Sequence, residues 1–380
     1  MNDYKTIKSS RIPKPKLLIV LCGILLLCGC NKESDTTTDD NYVFKRGDRI
    51  FSQPLEGKKS TTLSTSNEYF FAEINRSGNI ACALNDRKRT LSMLHLKNGR
   101  VQKEYVFPWH SHDGNWISDG ISYIGLSDDG TCLFNTTKSS LAVMTEDAPS
   151  RTIKLPDNQF EIRGITYSHS AKMFIITGKS SLFILKGTQK GEELKPIRLH
   201  GSYNGIRVRE GSQGEALSPD GKTLYALVTG LDKGNSIKNL LASFDTSTGE
   251  IVKFYLPHFK DGNQSFEGRH FTFSEDQISP VGERNSFVLT PDGKTIYVTA
   301  WINGNVTRTY IIDTVSGELQ EASNYQKWSG FQISPTGKYA IEIKAGENPY
   351  EADTYVYELS TGKLANKVPG NYCGTIRCGP

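Results

Sequence analysis

A four-residue turn motif recurs six times along the chain and constrains its fold more than any other feature. The clearest copies read Ser-Pro-Asp-Gly and Thr-Pro-Asp-Gly, and the others keep this pattern with changes at one or more positions. Pro presets the backbone φ and Gly tolerates a positive φ, so the motif predicts tight turns between strands. The copies begin at Asn75, Ser127, Ser168, Ser218, Thr290 and Ser334.

Each motif turn opens a unit of alternating apolar and polar residues, as in the stretch from Leu289 to Gln320. One such unit leaves an apolar sheet face uncovered, so it is stable only beside further copies. Successive copies begin 52, 41, 50, 72 and 44 residues apart. Apart from the interval of 72, these spacings predict the four-stranded blades of a β-propeller.

The copies at 217–256 and 289–322 resemble the YVTN repeat. The resemblance extends over six repeats, between about residues 70 and 368, and is closest in these two. YVTN-type propellers occur in surface-layer proteins, in periplasmic proteins and among relatives of lactonase-type propellers, so the resemblance implies an architecture rather than a reaction. The residues that carry it are Tyr297, Val298, Thr299 and Asp313 to Gly317, followed by Tyr225 and Asp245 to Gly249.

The segments outside the six copies decide the predicted number of blades. Three strand patterns lie at 42–66 and a tail follows at 369–380, and three strands plus one make a further blade. Pairing the two ends removes the exposed edges of an open array. We therefore predict an all-β fold, a seven-bladed β-propeller over residues 42–380 with N-/C-terminal closure. A six-bladed propeller with one N-terminal closing strand is the alternative.

The first 29 residues have the pattern of an export signal. A basic region precedes the apolar run from Leu17 to Leu27, which is short for a membrane span. The run ends in Leu-Cys-Gly-Cys, which resembles the lipobox of bacterial lipoproteins. The resemblance predicts a lipoprotein signal peptide at 1–29, lipidation of Cys30, and a polar tether at 30–41. Asn31 after this Cys resembles outer-membrane lipoproteins. A plain secretory signal with incidental cysteines is the alternative.

The basic charge of the chain belongs to this signal. Residues 1–29 carry a net charge of +4, which equals the formal net charge of the whole chain, so the remainder is neutral. A neutral domain lacks the basic footprint of nucleic-acid binding. We predict a monomeric propeller, anchored to the membrane by its N-terminal lipid, without a nucleic-acid partner.

Besides the lipidated Cys30, four cysteines remain after processing, in an oxidising compartment. Cys373 and Cys378 flank four residues and are predicted to form a local disulfide, with free thiols as the alternative. Cys82 and Cys132 lie in apolar strand patterns and are predicted to be small core residues.

The order of strands in a blade predicts which face carries the chemistry. With strands a to d from the axis to the rim, motif turns (a–b) and c–d hairpins lie on one face, here called the turn face. The b–c loops and the crossings between blades lie on the other, the loop face. All four Trp and five of the seven His map to the loop face, together with a long crossing at 258–284. The candidate ligand-binding residues there are Trp109, His110, His112, Asp113, Trp116, His200, Arg207, Arg209, Glu267, His270, Trp301 and Trp328.

Together with the lipobox resemblance, these residues predict a lipid-anchored binding module of the bacterial cell envelope, and Asn31 favours the outer membrane. Exposed aromatic side chains among polar groups suit a protein or glycan partner, although long crossings also use Trp and His in small cores of their own. The chain lacks a Gly-x-Ser-x-Gly elbow, a dinucleotide fingerprint and a calcium loop, and we predict neither a cofactor nor a catalytic set.

Two alternatives stay open at this stage. One is a lactonase-like hydrolase or lyase of the periplasm, with His110, His112, His270 and Glu267 as acid/base or metal-binding groups. A metal site starting from His110, His112 and Asp113 would need further ligands, and His200, His258 or His270 could converge on it. The other alternative is a structural or assembly protein of the envelope.

Overall fold

The computed structural model describes most of the chain between residues 41 and 372. The described residues are 41–46, 49–54, 61–64, 69–75, 79–85, 89–95, 100–107, 110–112, 115–117, 121, 123–148, 150–155, 161–178, 181–186, 194, 196–255, 287–302, 306–322, 332–334, 336–345, 352–369 and 371–372. The predicted signal, Cys30, most of the tether and the Cys373–Cys378 pair lie outside them. Within the described part, no helix is long and apolar enough to cross a membrane.

The described elements are all strands, and most of them form antiparallel sheets of four or five consecutive strands. The chain begins with β1 (Asn41–Arg46), β2 (Arg49–Pro54) and β3 (Thr61–Ser64). Blade 1 follows with β4 (Tyr69–Ile74), β5 (Ile80–Asn85), β6 (Thr90–His95) and β7 (Arg100–Val106). A short hairpin, β8 (His110–His112) and β9 (Asn115–Ile117), stands in the crossing to blade 2.

Blades 2 to 4 continue the same order. Blade 2 has β10 (Ile124–Leu126), β11 (Cys132–Thr137), β12 (Ser140–Met144) and β13 (Arg151–Lys154). Blade 3 has β14 (Ile162–Ser168), β15 (Met173–Gly178), β16 (Leu182–Leu185) and β17 (Pro196–Ile197). Blade 4 has five strands, β18 (Ser202–Tyr203), β19 (Ile206–Leu217), β20 (Thr223–Asp232), β21 (Asn235–Asp245) and β22 (Ile251–Phe254).

Blades 5 and 6 complete the repeats, and both ends of the domain meet in one more sheet. Blade 5 has β23 (Phe287–Leu289), β24 (Thr295–Ile302), β25 (Val306–Asp313) and β26 (Leu319–Glu321). Blade 6 has β27 (Gln332–Ile333), β28 (Tyr339–Ala345), β29 (Ala352–Glu358) and β30 (Leu364–Pro369). The last strand, β31 (Asn371–Tyr372), pairs with β1 and forms the terminal sheet with β1 to β3.

Within its described residues the structure thus shows an all-β propeller with six blades, the number predicted as the alternative. The seven-bladed prediction took the three N-terminal strands and the tail together as a further blade. Only Gly370 separates β30 from β31, and one residue spans at most about 3.6 Å. Crossing a four-stranded blade takes about 14 Å. The tail therefore pairs with β1 directly from the outer strand of blade 6.

The hydrophobic core lies between successive blades, because both faces of the inner strands are covered. In β11, Cys132 and Phe134 pack toward Met93 of blade 1, whereas Leu133 packs toward Phe174 of blade 3. Successive side chains of a strand point to opposite faces of the sheet, so alternate residues of β11 pack against the two neighbouring blades. Blade 2 is therefore stabilised by both of its neighbours.

A disulfide joins the first two blades. Cys82 of β5 and Cys132 of β11 are both fully buried and bonded, with 6.6 Å between their Cα atoms. The prediction that they are core residues is correct, but it did not include the bond between them. They are 50 residues apart, about one repeat, so they occupy equivalent strands that face each other across the core.

The motif turns also connect neighbouring blades. Gly293 has φ 72°, a conformation that favours glycine, and its N–H donates to Thr290 O at 2.8 Å. A Cβ at Gly293 would overlap Pro219 of the preceding turn, and one at Gly337 would lie 3.1 Å from Cδ of Pro291. The motif therefore supplies a turn and a contact with the blade before it.

Acid is expected to weaken these turns. In two of them the carboxylate accepts a hydroxyl at 2.6 Å and a backbone N–H at 3.0 Å. Hydrogen bonds from Ser218 and Thr290 are the main causes that lower the pKa of Asp220 and Asp292 below the usual 3.8. Their stabilising contribution is present above pH 3.8 and is lost as the pH falls through the lowered pKa values.

The Asp220→Asn/Asp292→Asn double variant keeps an acceptor oxygen but no charge. Urea midpoints between pH 5 and pH 2 should fall more steeply for the wild type than for this variant. Parallel profiles would contradict the assigned role of the two carboxylates.

Candidate functional site

The hydrogen bonds confirm how the connections of each blade are distributed. Residues after the third strand bond to the motif turn of the same blade: Thr246 N donates to Lys222 O at 3.0 Å, and Thr314 N donates to Lys294 O at 2.9 Å. The motif turns and the c–d hairpins therefore share the turn face. The b–c connections and the crossings lie at the opposite ends of the strands, on the loop face.

The backbone places two of the four Trp toward the loop face. Trp301 pairs with Thr307 one step before the b–c connection of blade 5. Trp116 pairs with Ser111 in the β8–β9 hairpin, in which His110 and His112 pair with Ile117 and Asn115. The remaining predicted residues of these segments, Trp109, Asp113, Glu267, His270 and Trp328, lie outside the described residues.

Arg207 and Arg209 lie near the start of β19, as the assignment to the loop face requires. Arg207 pairs with Leu231, next to the b–c turn of blade 4 at residues 232–235. Both Arg side chains are exposed, and Val208 between them is buried. The blade therefore presents two cations on one side of a strand at the loop face.

His200 was predicted on the loop face, and this prediction is wrong. Its backbone N–H donates to Gly249 O at 3.0 Å, and its carbonyl accepts from Ile251 N at 2.9 Å. Its ring Nδ1 also lies 3.0 Å from Gly249 O. Gly249 closes a c–d hairpin on the turn face. The crossing from blade 3 runs parallel to the outer strand of blade 4 here before it turns into β18.

The structure shows a group of charged and aromatic residues on blade 6 that the sequence reasoning missed. Glu342 of β28 has a fully buried side chain, and its Oε2 lies 2.7 Å from Lys344 Nζ. Lys344 Nζ also donates to the Tyr357 hydroxyl at 3.1 Å. Tyr357 in turn packs toward blade 5. A buried carboxylate is thereby paired with a lysine that reaches the surface.

A second lysine continues this arrangement toward solvent. Lys367 Nζ lies 2.9 Å from Asp353 Oδ2 and 5.2 Å from the centre of the Tyr355 ring. Lys344 Nζ lies 5.1 Å from the same ring centre, so one tyrosine ring contacts two cations. We call these residues the lysine–tyrosine cluster: Glu342, Lys344, Asp353, Tyr355, Tyr357 and Lys367.

The charges of the cluster favour binding over proton transfer. Burial lowers the pKa of Lys344, but the hydrogen bonds to Glu342 and Tyr357 outweigh this effect, so its pKa is raised overall. Burial is also the main cause that raises the pKa of Tyr357. Lys344 therefore stays charged and Tyr357 stays neutral near neutral pH, and both are donors rather than bases.

The cluster lies toward the loop face. Lys344 precedes the last residue of β28 and pairs with Asp353 at the start of β29, across the b–c connection. A signal for it exists in the sequence, because Glu342 and Lys344 alternate with Ile341 and Ile343 in the second strand of a blade. Such strands are covered on both faces, so a carboxylate there must have a partner.

Comparisons with known proteins bear on the fold. No family model matches the chain. The chain is similar to the β-propeller domain of Cps50 (Swd1) from Myceliophteria thermophila, with 17% identity and a TM-score of 0.49 over 80% of this chain and 86% of that one. It is similar to hydrazine synthase of Kuenenia stuttgartiensis, with 16% identity and a TM-score of 0.50 over 80% and 87%. A third similar structure is the dihydro-heme d1 dehydrogenase NirN in complex with DHE, with 13% identity and a TM-score of 0.47 over 88% and 74%.

At identities this low the similarity concerns the fold alone and carries no activity or ligand over to this chain. The metal site predicted to start from His110, His112 and Asp113 stays a prediction. The described part of the chain contains no group of three His, Cys, Asp or Glu residues that could hold an ion. The side chains of His110 and His112 are not among those described.

Proposed function

We propose that this protein is a lipid-anchored YVTN-type propeller of the bacterial cell envelope that binds a protein or glycan partner through its loop face. The observation that supports the proposal most directly is the lysine–tyrosine cluster. It presents partly exposed cations and aromatic rings in one arrangement on a sheet, at the face to which the Trp residues map.

The cluster is ordered before any partner arrives. The Lys344 and Lys367 side chains are 37% and 46% exposed, yet each is held by a carboxylate and lies over the Tyr355 ring. A long side chain that is already fixed loses less conformational entropy on binding. Tyrosine recurs at the energetic centres of interfaces, and its ring and hydroxyl also suit a glycan partner.

Export is supported by the bond between Cys82 and Cys132, since structural disulfides persist in oxidising compartments. This agrees with a signal peptide at 1–29 and with lipidation of Cys30. A lipid chain and a polar tether would leave the propeller free to reach a partner near the membrane.

Changing the loop face is expected to abolish partner capture. The Trp116→Ala/Trp301→Ala/Trp328→Ala variant should lose the partner, and Lys367→Ala should weaken binding about tenfold. The matched control is Val315→Ser, which changes an 85% exposed residue on the turn face. Binding is measured by quantitative pull-down from envelope extracts and on an array of envelope glycans.

Unchanged capture by the triple variant would exclude the loop face as the binding site. Turnover of lactones by the purified protein, lost in His112→Ala, would replace the proposal with the hydrolase alternative. Binding lost only in turn-face variants would favour a structural or assembly role for the opposite face.

A further inference from the structure

The crossing from blade 3 and the first residues of β19 form an antiparallel ribbon on blade 4. Ser202 pairs with Arg207 in its ladder, and the chain before Ser202 runs beside the c–d hairpin of the same blade at His200. We call residues 198–209 the basic ribbon. The lysine–tyrosine cluster lies on blade 6, so the basic ribbon is a separate surface.

The two sides of the basic ribbon differ in chemistry. Its apolar residues pack onto the core that blade 4 shares with blade 3, and Ile206 and Val208 are each only 8% exposed. The residues that alternate with them are polar and exposed. This alternation is typical of strands with one covered side and one side in water. The exposed polar residues are Arg198, His200, Ser202, Asn204, Arg207 and Arg209.

Two arginines on this exposed side are not neutralised by the protein. In the described part of the chain, the side chains of Arg198 and Arg207 have neither a hydrogen bond nor an ion pair, unlike both lysines of the lysine–tyrosine cluster. Arg209 already has an interaction within the protein. Glu250, which is bridged to His200, is also exposed. Three arginines beside this one carboxylate leave a positive surface that favours an anionic ligand.

The hydrogen bond of His200 determines what its exposed ring offers to a ligand. Nδ1 lies 3.0 Å from Gly249 O, and a carbonyl oxygen only accepts, so Nδ1 must be the donor. Nε2 of the neutral ring is then an acceptor. Ser202 and Asn204 add groups that both donate and accept. The exposed side therefore suits a ligand that carries negative charge for the arginines and hydroxyl groups for their neighbours.

We propose that the basic ribbon binds an acidic polysaccharide whose negative groups are the carboxylates of uronic acids. The guanidinium fork of arginine matches a carboxylate in bidentate geometry, and the sugar ring carries hydroxyl groups beside that carboxylate. Phosphodiesters and sulfates supply charge but have no proton to donate to a neutral imidazole. Arg198 and Arg207 are about 14 Å apart along the ribbon, so one extended chain can reach both.

The exposed side lacks the groups that other anionic partners use. Protein interfaces are centred on aromatic or apolar residues that become buried, and the exposed residues of the basic ribbon include none of these. An anionic membrane presents a plane of charge, whereas these cations follow one narrow ribbon. A hydrated acidic chain fits both observations.

The test uses the full-length chain and oligomers of galacturonic, glucuronic and mannuronic acid, each also as its methyl ester, which keeps the sugar and removes the charge. Calorimetry should show that a charged oligomer binds and that its ester binds about tenfold more weakly. Arg198→Ala/Arg207→Ala should weaken binding of the acid by about tenfold and make it less sensitive to salt. The matched control is Lys154→Ala/Lys363→Ala, which removes the same charge at exposed positions of blades 2 and 6.

Thermal unfolding of each variant separates loss of the surface from loss of the fold. The proposal would be overturned if no charged oligomer binds, if the ester binds as tightly as the acid, or if the folded double arginine variant binds like the wild type. Tighter binding of polyglutamate would replace the polysaccharide with a protein partner, and binding of phosphatidylglycerol vesicles in its place would replace it with a membrane. Lys367→Ala should leave uronate binding unchanged, so a failure of the loop-face proposal is distinguishable from a failure of this one.

Discussion

Replacing Cys82 and Cys132 together by alanine is expected to lower the free energy of unfolding by about 4 kcal/mol. The bond closes a loop of 50 residues, and the chain-entropy model gives about this value for such a loop. Both residues are fully buried between blades 1 and 2, so the variant also loses a little packing. Urea or guanidinium unfolding of the oxidised protein measures the difference.

Reductant provides the internal control for this prediction. It should lower the stability of the wild type to about that of the double variant and leave the variant unchanged. If iodoacetamide modifies both cysteines in protein that was unfolded without reductant, the bond does not exist in solution. The bond could then no longer be used to support export of the protein.

Replacing Lys344 by methionine is expected to cost about 3 kcal/mol of the free energy of unfolding. The change leaves the fully buried carboxylate of Glu342 without its cation, and breaking a buried ion pair from one side costs about 3–5 kcal/mol. The lower end applies because part of the Lys344 side chain is exposed, and solvent screens the pair. Denaturant unfolding at neutral pH is the measurement.

Removing both charges should reverse most of this loss. In the Glu342→Leu/Lys344→Met double variant no buried charge is left alone, and an apolar pair of similar volume is often neutral or stabilising. Lys367→Met is the comparison at an exposed pair, and its effect should be much smaller. A double variant as unstable as Lys344→Met would show that packing at Glu342, rather than its charge, is what stabilises blade 6.

The sequence predicts those parts of the fold that depend on local chemistry. Pro and Gly in the turns at Ser218 and Thr290, with alternating residues after them, are sufficient to predict strands and four-stranded blades. The number of blades depends instead on the tail, where Gly370 alone separates two strands. Composition and periodicity do not report such a distance. Composition and periodicity also do not reveal the path of the crossing before β18, and for this reason His200 was assigned to the wrong face.

Some residues of the candidate site can likewise be predicted from the sequence, and others cannot. Strand order alone places Trp301, Arg207 and Arg209 at the loop face, because it only requires knowing which end of a strand is which. The lysine–tyrosine cluster requires knowing that β28 is covered on both sides. The alternation of Glu342 and Lys344 with Ile341 and Ile343 becomes a signal only once β28 is placed as the second strand of a blade. The bond between Cys82 and Cys132 was missed for a similar reason, since pairing between blades depends on which strands face each other.

The contact between Gly293 and Pro219, repeated between Gly337 and Pro291, has a consequence for how such a chain can change in length. The repeat that begins at Thr290 carries both the glycine that fits the proline before it and the proline that receives the glycine after it. A copy of the whole repeat therefore contains both the glycine and the proline that its two boundaries need. A partial duplication contains only one of them. Propellers of this kind should gain or lose material in whole repeats, and the smaller insertions that persist should fall in the crossings.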